Sequence, residues 1–138
     1  MGLRRSAVRS LGEIALRVND LDGMQRFYGE IIGLELLRRF PTAVFFKIAQ
    51  GYGGHTQILA LFDRSQSSPG LQVSADRSTI DHIAFAIARG DFEAEKARLE
   101  QHGLVVDTEE HAWVYWRSLY VKDPEGNTVE LVCYDGSV

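Results

Sequence analysis

The strongest constraint on the fold of this chain is that its order of elements runs twice. Glu13-Ile-Ala-Leu-Arg-Val18 lies over His82-Ile-Ala-Phe-Ala-Ile87 at an offset of 69 residues, and Gly33-Leu34 lies over Gly103-Leu104 at an offset of 70. Gln57-Ile-Leu-Ala-Leu61 lies over Glu130-Leu-Val-Cys-Tyr134 at an offset of 73. Element order repeats along with the letters, so one supersecondary unit is used twice.

In the first copy, residues 11–18 alternate as a strand does, with Gly12, Ile14, Leu16 and Val18 on one face. Leu21, Met24, Phe27, Tyr28, Ile31 and Ile32 then recur at helical spacing; Asp20 or Asp22 can cap the start, and Gly33 stops the helix. Strands are expected over 34–40, 43–49 and 56–63. The second copy predicts a strand over 79–88, a helix over 91–102 stopped by Gly103, a short strand over 104–107, and strands over 113–121 and 128–134. Asp123-Pro124-Glu125-Gly126-Asn127 supplies the turn before the last strand: proline presets one φ, and glycine and asparagine tolerate a positive one. The expected fold is α+β, two βαβββ modules whose bulky strand faces pack on the helices. Residues 1–138 read as a single domain with an arm over 1–10, module one over 11–63, a linker rich in Ser, Gln, Pro and Gly over 64–78, and module two over 79–135.

The formal net charge of −4 argues against a broad nucleic-acid footprint. A single cysteine cannot form an intrachain disulfide and suits a reducing cytoplasm. No run approaches the apolar length of a membrane span, so no membrane partner is expected.

The residues that interrupt apolar strands carry the functional signal. Glu130 sits amid Val129, Leu131, Val132 and Cys133, where a carboxylate is expensive to bury without a cation, a partner or a proton. The repeat matches Glu130 with Gln57, and Glu13 with His82. Two equivalent halves related by a pseudo-twofold axis bring matched positions together. Two carboxylates, an imidazole and an amide make a divalent metal site, and Glu13 and Glu130 repel each other unless a cation lies between them. In the competing structural reading, Glu13 pairs with Arg17 or Arg117, His82 is a satisfied core histidine and Gln57 bonds to backbone. His55 shares the face of Gln57 and is the fallback ligand; a slip of one residue puts Ile58 inside instead. Tyr120 shares a strand face with Ser118 and Trp116, and either lines a pocket or packs in the core. His111, in the loop before that strand, is either a pocket acid or base near neutral pH or an exposed loop residue. The Trp113-Val-Tyr-Trp116 run reads as core, and Cys133 as a small buried residue on the helix side.

With these residues in place, the sequence resembles the vicinal oxygen chelate superfamily, which includes glyoxalases, bleomycin resistance proteins and extradiol dioxygenases. The resemblance covers residues 11–135. It rests on Glu13-Ile-Ala-Leu-Arg-Val-Asn-Asp-Leu21, on Arg26-Phe-Tyr28 leading to Ile32-Gly-Leu34, on Ile80-Asp-His82-Ile-Ala, and on Ser118-Leu-Tyr-Val-Lys-Asp-Pro-Glu-Gly-Asn-Thr-Val-Glu130-Leu. It implies that the two modules form a cupped, mostly antiparallel eight-stranded sheet with helices on the outer face, around a divalent ion such as Mn, Fe, Ni or Zn. The family's ligand positions fall on Glu13, His82 and Glu130, with a fourth near Gln57. The ending is similar to the extradiol dioxygenase signature, which His111, Leu119-Tyr120, Asp123-Pro124, Gly126 and Glu130 fit in spacing. Glu13 stands where the family usually has His or Gln. One histidine with two carboxylates is a harder donor set than the two histidines and one carboxylate of an extradiol site, so the choice between dioxygenase and lyase or isomerase chemistry stays open. The implied function is that of a glyoxalase- or dioxygenase-type enzyme that chelates a small oxygen-rich substrate through two oxygens and stabilises an enolate or oxyanion. Glu13, Glu130, His111 and Tyr120 are its candidate catalytic groups; Arg17, His55, Trp116, Arg117 and Tyr134 are its candidate substrate contacts. The alternative is a metal-free resistance protein of the bleomycin type that sequesters a small molecule. In either case the resemblance implies a homodimer.

Overall fold

In the computed structural model, which describes residues 7–66 and 80–138, each copy of the repeat folds as its own unit of four strands and one helix. The units are Met1–Ser67 and Ser68–Val138. Residues 1–6 of the expected arm, residues 67–78 of the expected linker and residue 79 of the expected strand lie outside the described residues.

In the first unit β1 (Glu13–Val18) pairs in parallel with β4 (Thr56–Asp63). β3 (Ala43–Gln50) and β2 (Glu35–Phe40) follow antiparallel, giving the order β1-β4-β3-β2. The parallel pair needs a crossover, and α1 (Leu21–Arg26) with the wide π turn Phe27–Ile31 is part of it. Asp20 starts this helix: its side chain accepts a hydrogen bond from the Gly23 amide at 3.0 Å. Gly23 is required there, because a Cβ would fall 2.3 Å from Asp20 Oδ2. Apolar residues on the inward face, among them Leu16, Val18, Met24, Tyr28, Phe46, Leu59 and Leu61, form the core of this unit.

The second unit repeats the order as β5-β8-β7-β6. β5 (His82–Ala86) runs parallel to β8 (Thr128–Tyr134); β7 (Trp116–Lys122) and β6 (Asp107–His111) are antiparallel. Helix α2 (Phe92–Gln101) buries Phe92 and Leu99, and Ile83, Phe85, Leu119, Val129, Leu131 and Cys133 are buried strand residues. The β7–β8 turn is held by one buried carboxylate. Asp123 Oδ1 accepts from the Glu125 and Asn127 amides, each at 2.9 Å, and Oδ2 accepts from Asn127 Nδ2 at 2.8 Å.

Two sequence expectations are corrected here. The third strand of module two runs over Asp107–His111 rather than 104–107, so His111 ends a strand and does not lie in a loop. This strand is a sheet edge and largely exposed, so no apolar alternation marks it. The Trp113-Val-Tyr-Trp116 run is not core: none of its residues is buried, and Tyr115 and Trp116 are exposed. Trp113 lies in a short 3-10 turn, Ala112–Val114, and is 83% exposed. Tyr115 follows with φ 58°, the left-handed region, and this breaks the alternation that the sequence reading carried back to residue 113.

Candidate functional site

Residues paired directly across strands share a sheet face, so the register decides which polar groups meet. His82 lies opposite Thr128, Ala84 opposite Glu130, Tyr120 opposite Glu130, and Ser118 opposite Val132. His82, Glu130, Ser118 and Tyr120 therefore stand on one face of the second unit's sheet, opposite the buried Ile83, Leu119, Val129 and Leu131.

Glu130, at 3% exposure, is the centre of this group. The buried Ser118 hydroxyl donates to its Oε2 at 2.8 Å. The other oxygen, Oε1, lies 3.2 Å from His82 Nε2. The second ring nitrogen of His82, Nδ1, is 2.7 Å from Asp81 Oδ2. Tyr120 presents its ring edge-on to His82, with centroids 6.5 Å apart, and its hydroxyl is 2.9 Å from His111 Nε2. Burial raises the Tyr120 phenol above its ordinary value; the charges of Glu130 and Glu109 act in the same direction, against a hydrogen bond with Ser118. Next to this group a cavity of about 360 Å³ is lined by Asp107, Glu109, Tyr120, Lys122 and Thr128, among others.

The matching face of the first unit is built differently. Glu13 lies opposite Ile58, as His82 lies opposite Thr128, and Ala15 lies opposite Ala60. The first-unit position equivalent to Glu130 is thus Ala60, and Gln57 is on the other face with Leu59 and Leu61. This corrects the expected match of Gln57 with Glu130. His55 also fails as a fallback: a Cβ on Gly12 would lie 3.5 Å from its ring, on the side of Ile14 and Leu16 rather than of Glu13. Glu13 itself is exposed and shares its face with Ala15 and Arg17. Phenyl rings occupy much of the rest. Phe45 meets Phe40 and Phe62 edge-on, each at 5.8 Å, and the Arg38 guanidinium lies 4.5 Å over Phe40.

Among the remaining candidates, Trp116 and Tyr134 pair across β7 and β8 on the Glu130 face, and both are exposed. Arg117 is on the opposite face, a correction to its expected role as a substrate contact. Its guanidinium lies over Phe92 at 5.6 Å and reaches Asp135 at 3.2 Å and Glu110 at 3.6 Å. Asp81 and Ser118 are the site residues that sequence reasoning missed. Ser118 was marked only by sharing a face with Tyr120, and Asp81 only by standing beside a strand histidine.

Among the described residues, no group of three or more His, Cys, Asp or Glu side chains is arranged to hold a metal ion. His82 and Glu130 nonetheless fit as a pair of donors. With metal–ligand bonds of about 2.1 Å, a nitrogen and an oxygen 3.2 Å apart subtend about 100° at one ion, between the octahedral and tetrahedral angles. They supply two donors of the three or more that a resident ion needs.

The family model described as "Glyoxalase/Bleomycin resistance protein/Dioxygenase superfamily" matches residues 10–131. Glutathione transferase FosA of Serratia marcescens is 29% identical over 124 residues, 90% of this chain and 80% of that protein. Catechol-2,3-dioxygenase of Bacillus subtilis (strain 168) is 26% identical over 124 residues, 88% of this chain but only 40% of that longer protein. Among solved structures, a lactoylglutathione lyase from Agrobacterium tumefaciens superposes with a TM-score of 0.68 at 27% identity, covering 93% of this chain and 96% of that one. A glyoxalase/dioxygenase from Nostoc punctiforme gives 0.72 at 24% identity, with 97% of both chains covered.

Proposed function

Because the chain belongs to the Glyoxalase/Bleomycin resistance protein/Dioxygenase superfamily, we propose that it is a divalent-metal-dependent enzyme of the glyoxalase or dioxygenase type acting on a small oxygen-rich substrate. The observation that carries this reading is the approach of His82 Nε2 to Glu130 Oε1 on a sheet face where an apolar pair would cost the fold less. His82 and Glu130 are two ligands, and the repeat makes Glu13, the counterpart of His82, the candidate third. A bound ion would supply Lewis-acid polarisation of two substrate oxygens.

The chain's own groups account for the rest. Tyr120, whose phenol is raised above its ordinary value, stays protonated at neutral pH and acts as a hydrogen-bond donor to a developing oxyanion. His111, bonded to its hydroxyl, orients it and exchanges its proton. Glu13 and Glu130 are the candidate bases. Arg17 on the Glu13 face, with Trp116 and Tyr134 on the Glu130 face, are candidate contacts for the substrate's remaining groups.

A second reading is favoured by the ring cluster of Phe40, Phe45 and Phe62: a metal-free protein that sequesters a flat small molecule against this aromatic face. Metal content by mass spectrometry on untagged protein, with thermal shift against Mn, Fe(II), Ni, Zn and planar aromatic ligands, separates the two. A metal response lost in both His82→Ala and Glu130→Gln supports the enzyme. A response to flat ligands alone supports sequestration, and no response to either overturns both.

A further inference from the structure

We infer that Asp81 and Ser118 are a matched pair of positioning residues that prepare His82 and Glu130 as metal donors, each by occupying the one atom of its partner that is not to bind. The inference rests on the metal-dependent reading above and adds to it two residues that do not themselves touch the ion.

A histidine binds a metal through a nitrogen that carries no proton, and the hydrogen bond at the other nitrogen selects the tautomer. Asp81 Oδ2 lies 2.7 Å from Nδ1 of His82. A carboxylate only accepts, so Asp81 holds a proton on Nδ1 and leaves Nε2 as the nitrogen that can bind an ion. Nε2 is also the nitrogen that faces Glu130 Oε1. Glu130 is treated the same way from the other side. Ser118, fully buried, spends its hydroxyl on Oε2 and leaves Oε1 without that donor. Both arrangements select the same two atoms, Nε2 and Oε1, and hold them 3.2 Å apart. Across that distance the two atoms can share a proton, and a divalent ion would take its place between them.

The two residues differ in their surroundings, which sets the size of each effect. The Asp81 side chain is 96% exposed, so solvent and salt weaken its hold on His82, whereas Ser118 acts in a dry setting. Such outer partners typically change metal affinity by about 10–100-fold. Asp81→Ala belongs at the low end of that range and Ser118→Ala at the high end.

The test uses the full chain and Zn(II) alone, with two readouts. Isothermal titration should give a zinc dissociation constant raised about 10-fold in Asp81→Ala and about 100-fold in Ser118→Ala. Asp81→Asn keeps a neutral acceptor at Nδ1 and should recover most of the loss. Nitrogen-detected NMR of ring-labelled histidine should show a protonated Nδ1 and a metal-bound Nε2 for His82 in the zinc-loaded wild type, and a mixed population or a switched nitrogen in Asp81→Ala. If the wild type binds zinc through His82 but both alanine variants bind equally well with an unchanged nitrogen pattern, the positioning role is wrong and the metal site stands. If the wild type binds no zinc, the metal reading itself has failed and this inference falls with it. Circular dichroism of Ser118→Ala confirms that a lost response is not lost folding; were it unfolded, Asp81→Ala at the exposed position decides alone.

Discussion

Glu130 is held on β8 at a cost to the fold, and removing it together with its anchor should leave the protein at least as stable. The relevant comparison is among Ser118→Ala, Glu130→Met and the double variant. Ser118→Ala strips the donor from Oε2 of a carboxylate that is 3% exposed, while the charge stays where it is. A hydrogen bond to a charged group is worth about 1.5–3 kcal/mol, so the single variant should lose about 2 kcal/mol. At a urea slope of about 1–3 kcal/mol per molar, the midpoint falls by about 1 M. Glu130→Met in the Ser118→Ala background removes the carboxylate and leaves no orphaned hydroxyl. What disappears is a burial cost of several kcal/mol, against that same hydrogen bond and an ion pair with a His82 side chain that is 41% exposed. A partly exposed pair contributes at most about 1 kcal/mol. The double variant should therefore match or exceed the wild type by about 1 kcal/mol, although each of its changes looks disruptive, and the metal response should vanish. Equilibrium urea unfolding followed by tryptophan fluorescence and circular dichroism reads all three. A double variant more than about 1 kcal/mol less stable than the wild type would mean that Glu130 is a structural strut. Its burial would then serve the fold rather than the chemistry.

Three further outcomes follow from the second unit. Asp123→Ala leaves two turn amides and an asparagine side chain without their acceptor and should cost about 3 kcal/mol in the same unfolding assay, while Asp123→Asn recovers most of it; a loss below about 1 kcal/mol would show that the turn does not depend on this side chain. The Asp135 carboxyl is held below the usual carboxylate range, first by the Ser137 hydroxyl, then by the Ser137 amide, with Arg89 and Arg117 adding to the effect. A depressed folded value means that its contribution is complete above the unfolded value of about 3.9 and is lost as pH falls through the folded one. Asp135→Asn should therefore flatten the acid limb of the stability–pH curve, and an unchanged limb would exclude Asp135 as a source of acid sensitivity. Tyr120 has the opposite sign: its raised phenol supports the fold below the ordinary tyrosine value and stops doing so as pH rises through the folded one. Tyrosinate absorbance should show a late-titrating group that Tyr120→Phe removes.

Much of the fold could be read directly, because the features that carry it are local. The strand at 56–63, the strand at 128–134, the helix-stopping Gly33 and Gly103 and the Asp123 turn all stand where alternation and turn chemistry put them. The misreadings share a cause. β4 is apolar on both faces, with Ile58, Leu59, Ala60, Leu61 and Phe62 in succession, so period two could not separate inside from outside. Letters then matched Gln57 with Glu130, whereas hydrogen-bond register matches Ile58 with Thr128 and so Ala60 with Glu130. β6 failed for the reverse reason, being polar on both faces at a sheet edge. Arg117 stands one position from Ser118 and Trp116, so strict alternation along β7 places it on the helix side and not among the substrate contacts.

The register also shows how a duplicated scaffold has come to hold two different faces. Ser118, Tyr120 and Glu130 in the second unit correspond by strand pairing to Ala43, Phe45 and Ala60 in the first. Each polar group has an apolar counterpart of similar or smaller size, so hydrogen-bonded donors are built on one copy and an edge-to-edge cluster of phenyl rings on the other. The single acidic group on the matching first-unit strand, Glu13, is exposed, and its charge costs the fold little whether or not an ion is bound. Glu130 is buried and carries that cost continuously. Selection for stability alone would remove Glu130 before Glu13. A function that needs the His82–Glu130 pair therefore has to be maintained against the stability of the second unit.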